Sequence, residues 1–182
     1  MSAAAVSPEP KAKAAASRAS EETRCTIALV GRPNSGKSSL YNRMTGGSAR
    51  VGNYPGITVD VLEAELDLPS GMHAKVADLP GLYSVETSVE DDSDEGVARR
   101  FLGDLEASGQ PAIVVQVVDP TRLGLGLRLT RELARKKLPF VVVLTHADVL
   151  LAEGRAVDTA RLSDVLGVPV VLLNARDVGA RE

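Results

Sequence analysis

Short, almost wholly apolar runs alternate along this chain with longer amphipathic ones. Cys25–Val30 is strand-sized and leads into a glycine-rich turn, after which Lys37–Met44 has helical spacing. Val59–Leu68 and Met72–Ala77 flank Pro69-Ser70-Gly71, which predicts two strands joined by a tight turn. Ser93–Ala107 predicts a helix, and Ala112–Val118 a central strand covered on both faces. A helix over Leu123–Lys137, a strand over Phe140–Leu144, a helix over Asp158–Leu166 and a strand over Val168–Leu173 follow. Thr45–Thr58 reads as a polar, Gly-rich connection, and Asp78–Asp92 as a loop. The alternation, with one hairpin, predicts a three-layer α/β fold. Its sheet is mixed, mostly parallel and six-stranded, with helices on both faces. Val178–Glu182 is too short for another helix, so a final helix is expected to be missing.

The first 24 residues break this pattern. Ala, Ser, Pro, Lys and Glu dominate, and Met1 and Val6 are the only sizeable apolar side chains, so a disordered tail is expected before a domain over 25–182. The whole chain of 182 residues carries 21 Lys and Arg against 24 Asp and Glu, a net charge of −3 that argues against a nucleic-acid binder working through bulk charge. One cysteine, Cys25, and two histidines exclude an intramolecular disulfide and a structural zinc site. Cys25 itself is expected to be an inert buried thiol. No apolar run is long enough for a membrane span, and no signal segment opens the chain, which reads as an intracellular domain.

Gly31-Arg32-Pro33-Asn34-Ser35-Gly36-Lys37-Ser38 satisfies G-x-x-x-x-G-K-[ST] between a predicted strand and a predicted helix. Glycines let the backbone wrap a phosphate, and the following helix adds the positive end of its dipole. Lys37 reaches β- and γ-phosphates, and the Ser38 hydroxyl suits Mg²⁺. Asp78-Leu79-Pro80-Gly81 ends a predicted strand, where Asp78 can serve the Mg²⁺ shell and the Gly81 N–H a γ-phosphate. Thr58 is a second candidate Mg²⁺ ligand, or else a plain loop threonine.

Thr145-His146-Ala147-Asp148 follows the Phe140–Leu144 strand. A carboxylate there accepts from guanine N1–H and the 2-amino group, donors that adenine does not present. GTPases usually carry N-K-x-D at this place, so Thr145 is expected to lose the amide that ties the base to the phosphate loop. His146 either lies over the base or is a solvated loop residue. Asn174-Ala175-Arg176 can present the Ala175 N–H to guanine O6.

With these residues in hand, the chain resembles the G domain of the bacterial ferrous-iron transport protein B family (FeoB), a Ras-like P-loop NTPase fold. The resemblance runs from about Thr26 to Gly179 and rests on five stretches. These are Gly31–Asn42, the first-switch run Val51-Gly-Asn-Tyr-Pro-Gly56-Ile57-Thr58-Val59, the second-switch run Asp78-Leu-Pro-Gly-Leu-Tyr-Ser84, and the helices holding Ser93–Arg99 and Asp119–Thr130. It implies binding of GTP and GDP by Gly31–Ser39, Gly56–Thr58, Asp78, Gly81, Thr145, His146, Asp148 and Asn174–Arg176. It implies Mg²⁺ on Ser38, Thr58 and Asp78, and an activating K⁺ beside Asn34, which also suits an Asx turn.

It further implies slow GTP hydrolysis carried by Lys37, Asn34, Thr58 and Gly81, because Leu82 stands where Ras-like enzymes place a water-orienting glutamine. The expected partners are a helical regulatory domain and an Fe²⁺-transporting membrane domain, in cis or in trans, at the inner face of the cell membrane. Three other roles stay open: a nucleotide sensor with negligible turnover, a GTPase of ribosome or RNA maturation, and, least favoured, an ATPase. The acidic run Glu90–Glu95 reads as a solvated helix start, and Arg128, Arg131, Arg135, Lys136 and Lys137 as a basic helix face. Leu123, Leu125, Leu127, Leu129 and Leu133 read as core or groove packing.

Overall fold

The computed structural model describes residues 24–48, 50–53, 60–86 and 93–173. The N-terminal stretch expected to be a tail, Gly56–Thr58 and Asn174–Arg176 lie outside these residues. Seven strands form one sheet: β1 (Arg24–Gly31), β2 (Arg50–Asn53), β3 (Asp60–Asp67), β4 (His73–Asp78), β5 (Ala112–Val118), β6 (Phe140–Leu144) and β7 (Val170–Leu172). Their spatial order is β2-β3-β4-β1-β5-β6-β7. β1 pairs in parallel with β4 and β5, and the parallel ladder continues through β6 to β7. The hairpin of β3 and β4 is antiparallel and closes on Gly71 N–H donating to Leu68 O at 2.8 Å.

The sheet is thus the expected mixed one, with a correction to its size. Arg50–Asn53, within the predicted polar connection, pairs antiparallel with Asp60–Glu63 as a seventh, edge strand. Its four residues hold one sizeable apolar side chain, Val51, and that is exposed, so burial leaves no alternating signal there.

Helices α1 (Lys37–Thr45), α2 (Asp94–Ser108), α3 (Leu123–Leu133), α4 (Ala147–Ala152) and α5 (Thr159–Leu166) complete the fold, with one 3₁₀ turn at Pro120–Arg122. α3 ends at Leu133 rather than reaching Lys137, as the chain turns toward Pro139. Ser93 caps α2 by accepting from Gly96 N–H at 3.0 Å, with Asp94 and Glu95 in the first turn, which fits the helix-start reading for those residues.

Alternation along β1 sends its side chains to two cores. Ile27 and Leu29 join Leu40 and Tyr41 of α1, while Ala28 and Val30 face Val97, Phe101 and Leu102 of α2 and Leu129 and Leu133 of α3. Of the leucine series, Leu129 and Leu133 are buried, and Leu125 is exposed at the mouth of a cleft. Cys25 is half-buried near the start of β1, less enclosed than expected. α3 comes so close to β5 that a Cβ on Gly126 would meet Val118 Cγ1 at 2.4 Å.

This topology decides where chemistry can occur. The chain leaves β1, builds β2 to β4 on one side, then crosses to β5 on the other. The crevice of such a sheet opens at the carboxyl ends of the strands flanking that reversal. The phosphate loop follows β1, Asp78 ends β4, Asp119 follows β5 and Thr145 follows β6.

Candidate functional site

The phosphate loop folds as a tight wrap at the amino end of α1. Asn34 and Gly36 both take the left-handed backbone, with φ of 63° and 85°. At Gly36 a side chain would be strained, whereas asparagine tolerates that region better than most residues. Gly36 is also the N-cap residue of α1, and no side chain caps the helix. The first-turn N–H groups of α1 and its positive dipole end therefore face the crevice without an internal acceptor from a capping side chain.

Into this crevice project three groups. Lys37 Nζ pairs with Asp78 Oδ1, and Ser38 Oγ donates to Asp78 Oδ2 at 3.2 Å. The Lys37 and Asp78 side chains are 11% and 5% exposed, so each is the other's main compensation for leaving water. Ser38 Oγ and the Asp78 carboxylate are hard oxygen donors side by side, the kind of set that Mg²⁺ takes alongside phosphate oxygens. The residues fit that ion. Among the described residues no cluster of three or more His, Cys, Asp or Glu offers a protein-only metal site.

Gly81 closes on the loop from the other side. A Cβ there would lie 2.6 Å from Pro33 Cγ, so only glycine lets the Asp78–Gly81 turn touch the phosphate loop. Leu82 is fully buried, and its N–H donates to Gly31 O at 2.9 Å. Its side chain belongs to the α2–α3 core. Arg32 lays its guanidinium over the Tyr83 ring at 4.5 Å. Beyond it, Glu132 of α3 accepts from Ser84 Oγ at 2.8 Å and from Val85 N–H at 2.7 Å, and Arg135 pairs with Glu86. The Ser84–Glu86 stretch is thereby strapped to α3, with Arg135 of the predicted basic face supplying one of the contacts.

The residues that follow β6 come to the same end of the sheet. Thr145 Oγ1 donates to Ser35 O at 2.6 Å. This bond links residue 145 itself to the phosphate loop, a contact that the motif alone does not predict. His146 has φ of 50° and places Nδ1 3.1 Å from Thr145 Oγ1 and 3.9 Å from Asp119 Oδ1. Asp148 is exposed in the first turn of α4, a helix the sequence pattern did not suggest. Gly31, Ser35 and Gly36 line the loop's inner side, while Pro33, Asn34 and Ser39 are exposed. A cleft of about 370 Å³ opens between the loop, Tyr83 and α3. At its floor the buried Gln116 donates Nε2–H to Gly126 O at 3.0 Å, while its Oε1 and Ser35 Oγ find no protein partner. Gln116 escaped the sequence reading because it stands inside an otherwise apolar strand.

The family model of ferrous iron transport protein B matches residues 25–180. The Fe(2+) transporter FeoB of Salmonella typhimurium is 36% identical over 151 residues, which cover 82% of this chain and 19% of that protein. The Escherichia coli K12 transporter is 35% identical over the same length and the same shares. This chain therefore spans about a fifth of the curated relatives it matches. The G domain of the T. maritima FeoB iron transporter superposes with a TM-score of 0.69 at 33% identity, covering 82% of this chain and 86% of that one. An S. thermophilus NFeoB mutant bound to GDP gives a TM-score of 0.70 at 37% identity, covering 81% of this chain and 54% of that one.

Proposed function

This chain belongs to the ferrous iron transport protein B family, and on that premise we propose that it binds GTP and GDP, hydrolyses GTP slowly and acts as a nucleotide switch in ferrous iron transport. The observation that carries the reading is the convergence of Lys37, Ser38 and Asp78 at an uncapped helix N-terminus beneath the left-handed turn of Asn34 and Gly36.

In this reading Lys37 exchanges the Asp78 carboxylate for phosphate oxygens, which frees Asp78 and Ser38, with Thr58, to hold Mg²⁺. Asn34 would hold K⁺ at the rim of the loop. When bound, the two ions neutralise charge on the β- and γ-phosphates. The N–H groups of the loop position the phosphates, and the Gly81 N–H meets the γ-phosphate. Asp148 and Ala175 read guanine. Because Leu82 is buried in the core, no side-chain amide orients the attacking water there, and turnover is slow. Exchange of the Lys37–Asp78 pair would shift the Asp78–Ser84 run, and the bonds from Ser84 and Val85 to Glu132 would carry the change to α3. The reader of that change is a helical regulatory domain and an Fe²⁺-transporting membrane domain, at the inner face of the membrane. Among the described residues no helix is long and apolar enough to cross a membrane.

The same buried Leu82 favours a second reading, a nucleotide-binding module with negligible turnover. A fluorescence titration with labelled GDP and labelled ADP, in Mg²⁺ and K⁺, tests the shared premise. Saturable GDP binding without an ADP response supports it. Equal or absent responses from folded protein overturn it.

A further inference from the structure

We propose that the cleft between the phosphate loop, Tyr83 and α3 is a ligand site separate from the nucleotide crevice, and that it takes a small carboxylic acid whose apolar body carries an N–H donor. Arg32 to Ser35 of the loop line this cleft, whereas Lys37, Ser38 and Asp78 do not. Its volume of about 370 Å³ falls in the range of small-molecule sites. The polar atoms at its floor set the first requirement on an occupant. Gln116 is wholly buried there, and its Nε2–H donates to Gly126 O at 3.0 Å. That bond fixes the amide's orientation, because the reversed amide would set its oxygen against the Gly126 carbonyl. Oε1 is thereby left without a partner, and so is Oγ of Ser35, a lining residue only 4% exposed. Buried side-chain oxygens are ordinarily paired. An amide oxygen accepts and cannot donate, so the occupant that satisfies it brings a proton.

The walls and the charges set the other two. Pro33, Val117, Val118 and Leu125 make the sides apolar, and Leu125 is 41% exposed, a sizeable hydrophobic surface left to water. Arg122, also exposed, lines the cleft and has no ion-pair partner among the described residues. The Arg32 guanidinium lies over the Tyr83 ring at 4.5 Å and adds a second cation. Among the described residues Asp119 is the only acid that lines the cleft. Its Oδ1 already accepts from Thr121 N–H at 2.9 Å and from Thr121 Oγ1 at 2.7 Å. Two cations against one engaged carboxylate favour an anion, and a guanidinium matches a carboxylate in shape as well as charge. Because Tyr83 and the phosphate loop form two of the walls, a ligand held here rests against both.

The test is an NMR titration of the full, ¹⁵N-labelled chain with indole-3-propionate, which joins an N–H, an apolar ring and a carboxylate. A probe of about 14 non-hydrogen atoms is expected to bind with a Kd of about 1 mM or tighter. Its saturable shifts should gather on the Gln116 side-chain amide, Tyr83, the phosphate loop and the start of α3. Two analogues dissect the contacts: 1-methylindole-3-propionate lacks the N–H, and 3-methylindole lacks the carboxylate. Each is expected to bind about 3- to 10-fold more weakly. Gln116→Leu should abolish the preference for N–H over N–CH₃, and Arg122→Ala the preference for the carboxylate. A Kd above about 10 mM, shifts centred elsewhere on the surface, or equal binding of the N-methyl analogue to the native chain overturns the proposal. The three probes on the native chain decide it even where a variant fails to fold. No guanine nucleotide enters the assay, so its failure leaves the nucleotide reading intact.

Discussion

Removing the Lys37–Asp78 pair one partner at a time separates the compensation each charge gives the other from the nucleotide contact proposed for both. The side chains are 11% and 5% exposed, so either one left alone is a nearly buried, uncompensated charge. Breaking a buried pair in this way costs about 3–5 kcal/mol. We take the low end, about 3 kcal/mol for each single substitution, because Ser38 still donates to Asp78 when Lys37 is removed and the 11% exposure of Lys37 lets its ammonium meet solvent when Asp78 is removed. Lys37→Ala with Asp78→Ala leaves no orphan, so the double variant should lose no more than either single one. The coupling is then about 3 kcal/mol, near the top of what neighbouring residues show. Each single variant should melt roughly 6–12 °C below the native chain at this size. Urea unfolding without nucleotide, followed by circular dichroism, measures the cycle, with a common slope confirming that the same surface is exposed. Penalties that add to within about 0.5 kcal/mol would refute the argument, because independent sites behave that way.

Three other outcomes follow from particular contacts. Tyr41 is fully buried with no hydrogen-bond partner for its hydroxyl, and burial, then the nearby Asp78, pushes its pKa up. Tyr41→Phe should leave stability unchanged or raise it by up to about 1 kcal/mol in thermal unfolding, since no bond is lost and a desolvated group is removed. Glu132→Ala should cost about 1–2 kcal/mol and speed hydrogen exchange at the Val85 amide, which now donates to Glu132 at 2.7 Å. Unchanged protection of that amide would show that the strap does not hold. The Lys137 N–H, with the Lys136 ammonium beside it, holds the Glu106 carboxyl below the usual range. A lowered folded-state pKa stabilises above the ordinary glutamate value and is lost as pH falls through the lowered one. Glu106→Gln should therefore be less stable than native at neutral pH and equal to it in acid, as pH-dependent denaturation will show.

The phosphate side of the site is legible in the sequence because its geometry is local. Gly31–Ser38 sits between a strand and a helix, and Asp78 ends the strand that pairs with β1, so spacing alone brings them together. What escaped depends on contacts distant in sequence. Whether residue 145 ties the base motif to the loop depends on how far its side chain stands from Ser35 O, 110 residues away in the chain. A hydroxyl suffices at 2.6 Å, which no motif encodes. Helix α4 has six residues and follows His146, whose left-handed backbone and lack of a capping side-chain bond leave no entry signal. Strand β2 is a four-residue edge whose pairing with β3 supplies what its composition does not. Gln116 reads as part of an apolar strand until α3 is seen to bring Gly126 O within 3.0 Å of it.

Phosphate release from GTP is the most direct test of the central claim, measured with Mg²⁺ in matched K⁺ and Na⁺ buffers, with ATP as the control nucleotide. The account predicts slow release from GTP, faster in K⁺, lost in Lys37→Ala and absent with ATP. Equal release from ATP, or release from GTP that survives Lys37→Ala, would contradict it.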